Sequence, residues 1–170
     1  GLAQHSQNPT LLIAARLGMG TILVLLGEFV SALEHLQQGL ALYDPEQHNP
    51  FAAQAATDPR VSGVAFTAPT LWYLGYPDQA LEMSQEALSR AEELSHPFSL
   101  AWALNTTAIS HEARREGALA QKQAEAEIAI STERGFPQWI GMGTIHRGWA
   151  LAEQGQGEAG IPLIRASLAG

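Results

Sequence analysis

The chain has 170 residues, nine basic and seventeen acidic side chains, a formal net charge of −8 and no cysteine. The missing cysteines exclude disulfides, thiolate nucleophiles and zinc–thiolate centres, and fit a reducing cytoplasm. The acidic balance argues against nucleic acid and anionic lipid as partners, and the longest apolar run, "TILVLLG", falls far short of the roughly 20 residues that span a bilayer, so neither a transmembrane nor a signal segment is read.

In chain order, apolar periodicity and breaker residues predict helices over 10–26, 29–43, 60–74, 77–94, 98–114, 118–134, 138–154 and 157–169. The first pair is broken at Gly27 in "LLGEFVSAL", the second at Gly75 in "YLGYPDQAL". The third breaks at Arg115 in "RREGALAQ" and the fourth at Gly155 in "EQGQGEAGI". Pro77 suits the first turn of a helix, where its missing N–H costs nothing, and Asp78 behind it complements the helix dipole. Pro97 in "ELSHPFS" and Pro137 in "ERGFPQW" mark the longer connections, each ending one helix and opening the next. The stretch "DPEQHNPFAAQAATDP" is the one long loop, 44–59. No strand alternation occurs. The fold class expected is all-α, with eight helices in a single domain over 1–170.

The breaks recur. Gly75, Arg115 and Gly155 are spaced by forty residues, and Gly27 precedes Gly75 by forty-eight, which places one eight-residue insertion between the first two units. Seven residues before each marker stand Gly20, Ala68, Ala108 and Gly148; five after it stand Ala32, Ala80, Ala120 and Gly160. Thirteen after it come Leu40, Leu88, Ile128 and Leu168, and four before it Leu23, Leu71, His111 and Leu151. This reads as four helix–turn–helix repeats, 10–44, 60–95, 98–135 and 138–170. Small residues let paired helices approach closely, and the large aliphatic fills the gap to the next unit.

Small residues at two fixed places, a Leu-rich first helix and a glycine turn followed by an aromatic in "GEFVSAL" resemble the tetratricopeptide repeat, with longer helices than its usual ~34-residue unit. The resemblance implies a right-handed superhelix. Here the unit-end prolines are displaced (Pro45, Pro97, Pro137), and Arg114-Arg115 stands where Leu-Gly is typical. "GEFVSALEHLQQGLALYDPEQH", "LWYLGYPDQALEMSQEALSRAEELSHPFSLAWAL" and "RGWALAEQGQGEAGI" also resemble the C-terminal helical-repeat region of bacterial multidomain signalling proteins. In those, an adenylate or guanylate cyclase domain precedes a STAND-type AAA-like ATPase, and the repeats follow. That likeness implies a cytoplasmic regulatory arm, a fragment of a longer protein, and carries over no catalytic residue.

Motifs that carry chemistry were weighed against packing. "GMGTI" occurs at 18–22 and 141–145, but neither copy follows a strand or leads into Gly-Lys-Ser/Thr, so close helix packing accounts for it better than a phosphate loop. "HEARRE" lacks the second histidine of a zinc-protease helix, and His111 is read as a hydrogen-bonded core histidine. "NTT" at 105–107 falls inside a predicted helix, which argues against glycosylation. No catalytic residue, cofactor or metal is expected, and the fragment is read as no enzyme.

What remains is surface. In tetratricopeptide arrays the first helix of each unit lines a concave groove. Carried over, that geometry assigns partner-binding positions to Trp72, Tyr73, Trp102, Asn105, Ile109, Glu112, Met142, Ile145 and Trp149, with Thr21, Val24, Pro69 and Ala152 beside them. Trp suits an interaction hot spot and a core alike. Two functions stay open: a protein- or peptide-binding module, whose partner can be a domain of its own parent, and a small-molecule sensor arm regulating an attached ATPase or cyclase. A peptide groove would run open across the units, whereas a ligand site would be a closed pocket with converging polar groups. Homo-oligomerisation through the ends of the solenoid is compatible with both.

Overall fold

The computed structural model describes residues 9–44 and 57–169, and these contain eight α-helices and no strand. They are α1 (Pro9–Leu25), α2 (Phe29–Ala41), α3 (Pro59–Tyr73), α4 (Pro77–Leu94), α5 (Pro97–Ala113), α6 (Gly117–Arg134), α7 (Pro137–Glu153) and α8 (Gly157–Ala169). Every end lies within two residues of its predicted place. Five helices begin one residue earlier than predicted, and in four of them Pro9, Pro59, Pro97 or Pro137 is itself the first helical residue. Proline's fixed φ is pre-set for that position, and the N–H it lacks would have had no helical partner. Most of the predicted loop 44–59 lies outside the described residues. No helix among those described is long and apolar enough to cross a membrane.

The four predicted markers share one backbone state. Gly27, Gly75 and Gly155 have φ of 80°, 88° and 81°, and Arg115 has φ of 60°. Each ends its helix in the same double hydrogen bond. The residue after the marker donates its N–H to the carbonyl four before the marker: Glu28 to Leu23, Tyr76 to Leu71, Glu116 to His111, Gln156 to Leu151, at 2.8–2.9 Å. The marker itself donates to the carbonyl three before it, at Val24, Trp72, Glu112 and Ala152. This left-handed cap satisfies carbonyls that the helix end would otherwise leave without donors.

The chain divides into two compact units, one ending at Arg90 and the other beginning at Ala91, a boundary inside α4. In the first, Ile13, Leu17, Leu36 and Tyr43 form a buried cluster against which Val24, Leu40 and Phe66 pack. Asp58 caps α3. Its Oδ1 accepts from the N–H groups of Arg60 and Val61 at 2.9 and 3.0 Å, and its Oδ2 accepts from the Tyr43 hydroxyl at 2.9 Å. One buried carboxylate thus fixes both the start of α3 and the residue that leaves α2.

All eight small residues at the two predicted positions are buried. The closeness they allow is visible in the second unit. A Cβ on Gly160 would lie 2.2 Å from the Gly148 carbonyl oxygen, and one on Gly148 2.7 Å from that of Gly160. The predicted plugs reach the next helix at two places. Leu40 meets Gly63, and Ile128 meets Gly143. Leu168, with no repeat after it among the described residues, is 73% exposed. Gly63, Ala103 and Gly143 stand twelve residues before their markers, a third small-residue position of the repeat. The second "GMGTI" therefore serves close helix packing, as read from the sequence: Gly143 occupies the repeat position that receives the plug.

Candidate functional site

The polar groups of the second unit converge where α5, α6 and α7 meet. On α5, Asn105 and Glu112 lie on one stripe, two helical turns apart, because seven residues span nearly two turns. His146 of α7 lies against both. The Asn105 amide (Nδ2) is 2.8 Å from His146 Nε2, and His146 Nδ1 is 2.8 Å from Glu112 Oε1. From α6, Glu127 Oε1 accepts from Asn105 Nδ2 at 3.2 Å. The donors define the imidazole: with Asn105 donating to Nε2, the ring proton sits on Nδ1 and is given to Glu112.

Glu127 is the unusual member. It is fully buried (0% exposed). Desolvation pushes its carboxyl up to about 8; the Asn105 hydrogen bond opposes the shift and the Glu112 charge adds to it. It is therefore a neutral acid at pH 7. Since Oε1 accepts from Asn105, its proton resides on Oε2, which has no partner among the described residues. Nor do Ser131 Oγ, one turn further along α6, and Trp139 Nε1 on α7. The space for Oε2 exists because Gly143 has no side chain: a Cβ there would be 3.3 Å from that oxygen.

Chemically the cluster is a clamp with one outward group. The amide between Glu127 and His146 donates to both and relays no proton, so the two are not an acid–base pair. Glu112 is the accessible end, its side chain 20% exposed. One oxygen is held by His146, and the other has no partner among the described residues. A second histidine contact lies nearby, where His111 Nδ1 approaches Glu116 Oε2 at 2.7 Å. That bond, then Arg114, holds the Glu116 carboxyl below the ordinary carboxylate range. Among the described residues no group of three or more His, Asp or Glu side chains is placed to hold a metal ion.

The predicted groove positions separate into distinct environments. Tyr73 is 65% exposed and its ring stacks on Phe29 with centroids 4.7 Å apart, while Trp72 beside it is half-buried. Asn105, predicted to line the surface, is 5% exposed and its amide is already engaged. Trp102, Met142, Ile145 and Trp149 are half-buried, and Ile109 is exposed. Trp139, left off the predicted set, is the buried tryptophan, packed against Phe98 and Trp102 at centroid distances of 5.7 and 5.9 Å. The structure brings Asn105 and Glu112 together with His146 and Glu127, neither of which the sequence singled out. A signal for Glu127 did exist: it is the one charged residue on the buried face formed by Gly117, Ala120, Ala124 and Ser131. No protein-family model matches the chain, and no curated protein matches it.

Proposed function

We propose that the protein is a non-catalytic interaction module of tetratricopeptide type, an arm of a bacterial signalling protein. Its second unit would bind a protein segment carrying apolar anchors and one basic side chain. The observation that carries this reading is the composition of one surface. On α5 and α7, the large apolar side chains of Trp102, Ile109, Met142, Ile145 and Trp149 all remain partly accessible. Trp102 and Ile109 share α5 with Glu112, whose second oxygen has no partner among the described residues. Half-exposed aromatic and aliphatic groups beside one carboxylate are what a docked segment needs: area for affinity and a charge for register. A net charge of −8 adds long-range attraction for a basic partner.

The test is selection of short peptides on the immobilised protein, followed by titration of those retained. Peptides with Lys or Arg among apolar residues should be enriched. Trp149→Ala should weaken them by roughly 1–2 kcal/mol, about tenfold, with cooperative melting preserved. Glu112→Gln, which can still accept from His146, should remove the preference for a basic residue. Enrichment of acidic peptides, or of none, would overturn the proposal.

A further inference from the structure

The first unit contains a cleft of about 530 Å³ that shares no residue with the surface just described. Its size lies within the ~300–1,000 Å³ typical of small-molecule sites. Val64, Thr67 and Leu71 follow one stripe of α3 and form one wall; Leu40 of α2 and Met83 of α4 face them. The Thr67 hydroxyl donates to the Gly63 carbonyl at 2.8 Å, so the deep wall has its one hydroxyl already spent within α3. Met83, unbranched and polarizable, can adapt to the body of a guest.

The rim carries the charge. Arg60 pairs with Glu86, which cancels the one cation of the lining. Glu82 lies one turn before Glu86 on α4, also faces the cleft, is exposed, and has no partner among the described residues. The result is an apolar recess with one uncompensated negative charge at its mouth.

We infer that this cleft binds a small organic ammonium compound, its apolar body held between Leu71 and Met83 and its cationic group at Glu82. An anion of the same shape would meet Glu82 and find no free cation, since Arg60 is taken by Glu86 and only the neutral Gln37 and Gln79 amides remain to donate to it. A neutral guest would gain the apolar contacts and hydrogen bonds at the rim, but no charge pairing with Glu82. This inference is independent of the peptide-binding reading, because the two surfaces lie in different units.

The experiment compares three probes of equal length on the whole chain: octylammonium, octanol and octanoate. Each is titrated by calorimetry and by amide chemical shifts. Octylammonium should bind 1:1 and shift the amides of Val64, Leu71 and Met83. Octanoate should bind about tenfold more weakly, with octanol between them. Glu82→Gln, an exposed and conservative change, should weaken octylammonium by about two- to fivefold and leave octanol unchanged. Equal affinity for octanoate, an unchanged response in Glu82→Gln, shifts confined to the second unit, or no saturable binding by any probe would each overturn the inference.

Discussion

At the scale of single residues, three side chains stand in backbones or surroundings that their chemistry disfavours. Arg115 occupies a left-handed position that three glycines fill elsewhere in the chain, and Ser95 (φ 50°) does so at the connection before α5. A side chain with Cβ in that region costs on the order of 1 kcal/mol relative to glycine. Ser95→Gly should therefore raise the melting temperature by a few degrees. Arg115→Gly should raise it by less, since it also removes the exposed pair with Glu153, worth about 0–1 kcal/mol. Thermal denaturation of both variants checks the order. Glu127 gives the pH prediction. Its folded-state carboxyl titrates at about 8, against an ordinary value of 4.5. Between those values the folded chain holds a proton that the unfolded chain has released, so stability from this group is fully present at low pH, declines as pH rises, and is lost above about 8. Glu127→Gln cannot ionise. It should be more stable than the wild type at pH 9, by on the order of 1 kcal/mol or more, with the difference closing toward pH 5. Melting curves at pH 5, 7 and 9 measure this, and parallel curves for the two proteins would refute the assignment.

At the scale of helices, the two "GMGTI" segments make an internal control. The first glycine of each copy, Gly18 and Gly141, has no atom within 4 Å of where a Cβ would sit; the second, Gly20 and Gly143, would collide with Leu36 and Ile128 at 2.6 and 2.9 Å. Gly18→Ala and Gly141→Ala should each stabilise by roughly 0.5–1 kcal/mol through helix propensity. Gly20→Ala should cost about 1–3 kcal/mol, and Gly160→Ala at least as much, because its obstruction is backbone that cannot rotate away. Chemical denaturation with unchanged m-values is the readout. The same elements show what was legible beforehand. Helix order, turn positions and small-residue contacts could be read because they depend on local chemistry that repeats: a left-handed turn, a proline at the first helical position, a Cβ too many. The polar cluster could not. His146 and Glu112 are thirty-four residues apart, and nothing in either stretch announces the other. Glu127 looks like an ordinary helix glutamate until its helix phase is set against α5 and α7. Tryptophan orientation was equally closed to the sequence, since a shift of one residue in helix phase exchanges Trp139 with its half-buried counterparts.

For the whole molecule, charge provides the test that no single variant can. A chain with a net charge of −8 attracts a basic segment over distances that dissolved salt screens, with a Debye length of about 10 Å at 0.1 M and 3 Å at 1 M. Peptide association should slow steeply with added salt while dissociation changes little, because the apolar contacts set the lifetime of the complex. Stopped-flow mixing at low and high salt separates the two rates; salt-independent association would mean that net charge does not guide the encounter.

The left-handed positions have one more consequence. Ser95 and Gly135 are forty residues apart, and so are Arg115 and Gly155. The segment from His96 to Gly135 therefore begins just after one such link and ends on the next. A second copy placed after Gly135 would meet Phe136 through its own Gly135, and its His96 would follow a left-handed Gly135 where it now follows the left-handed Ser95. The new junction would also present Ile128 to a helix with Ala103 where Gly143 now receives it. Duplicating that segment would add a whole module with no new turn, at the cost of fitting the Ala103 Cβ where Gly143 has none. The left-handed links between successive helix pairs are thus the joints at which such a protein can gain or lose length.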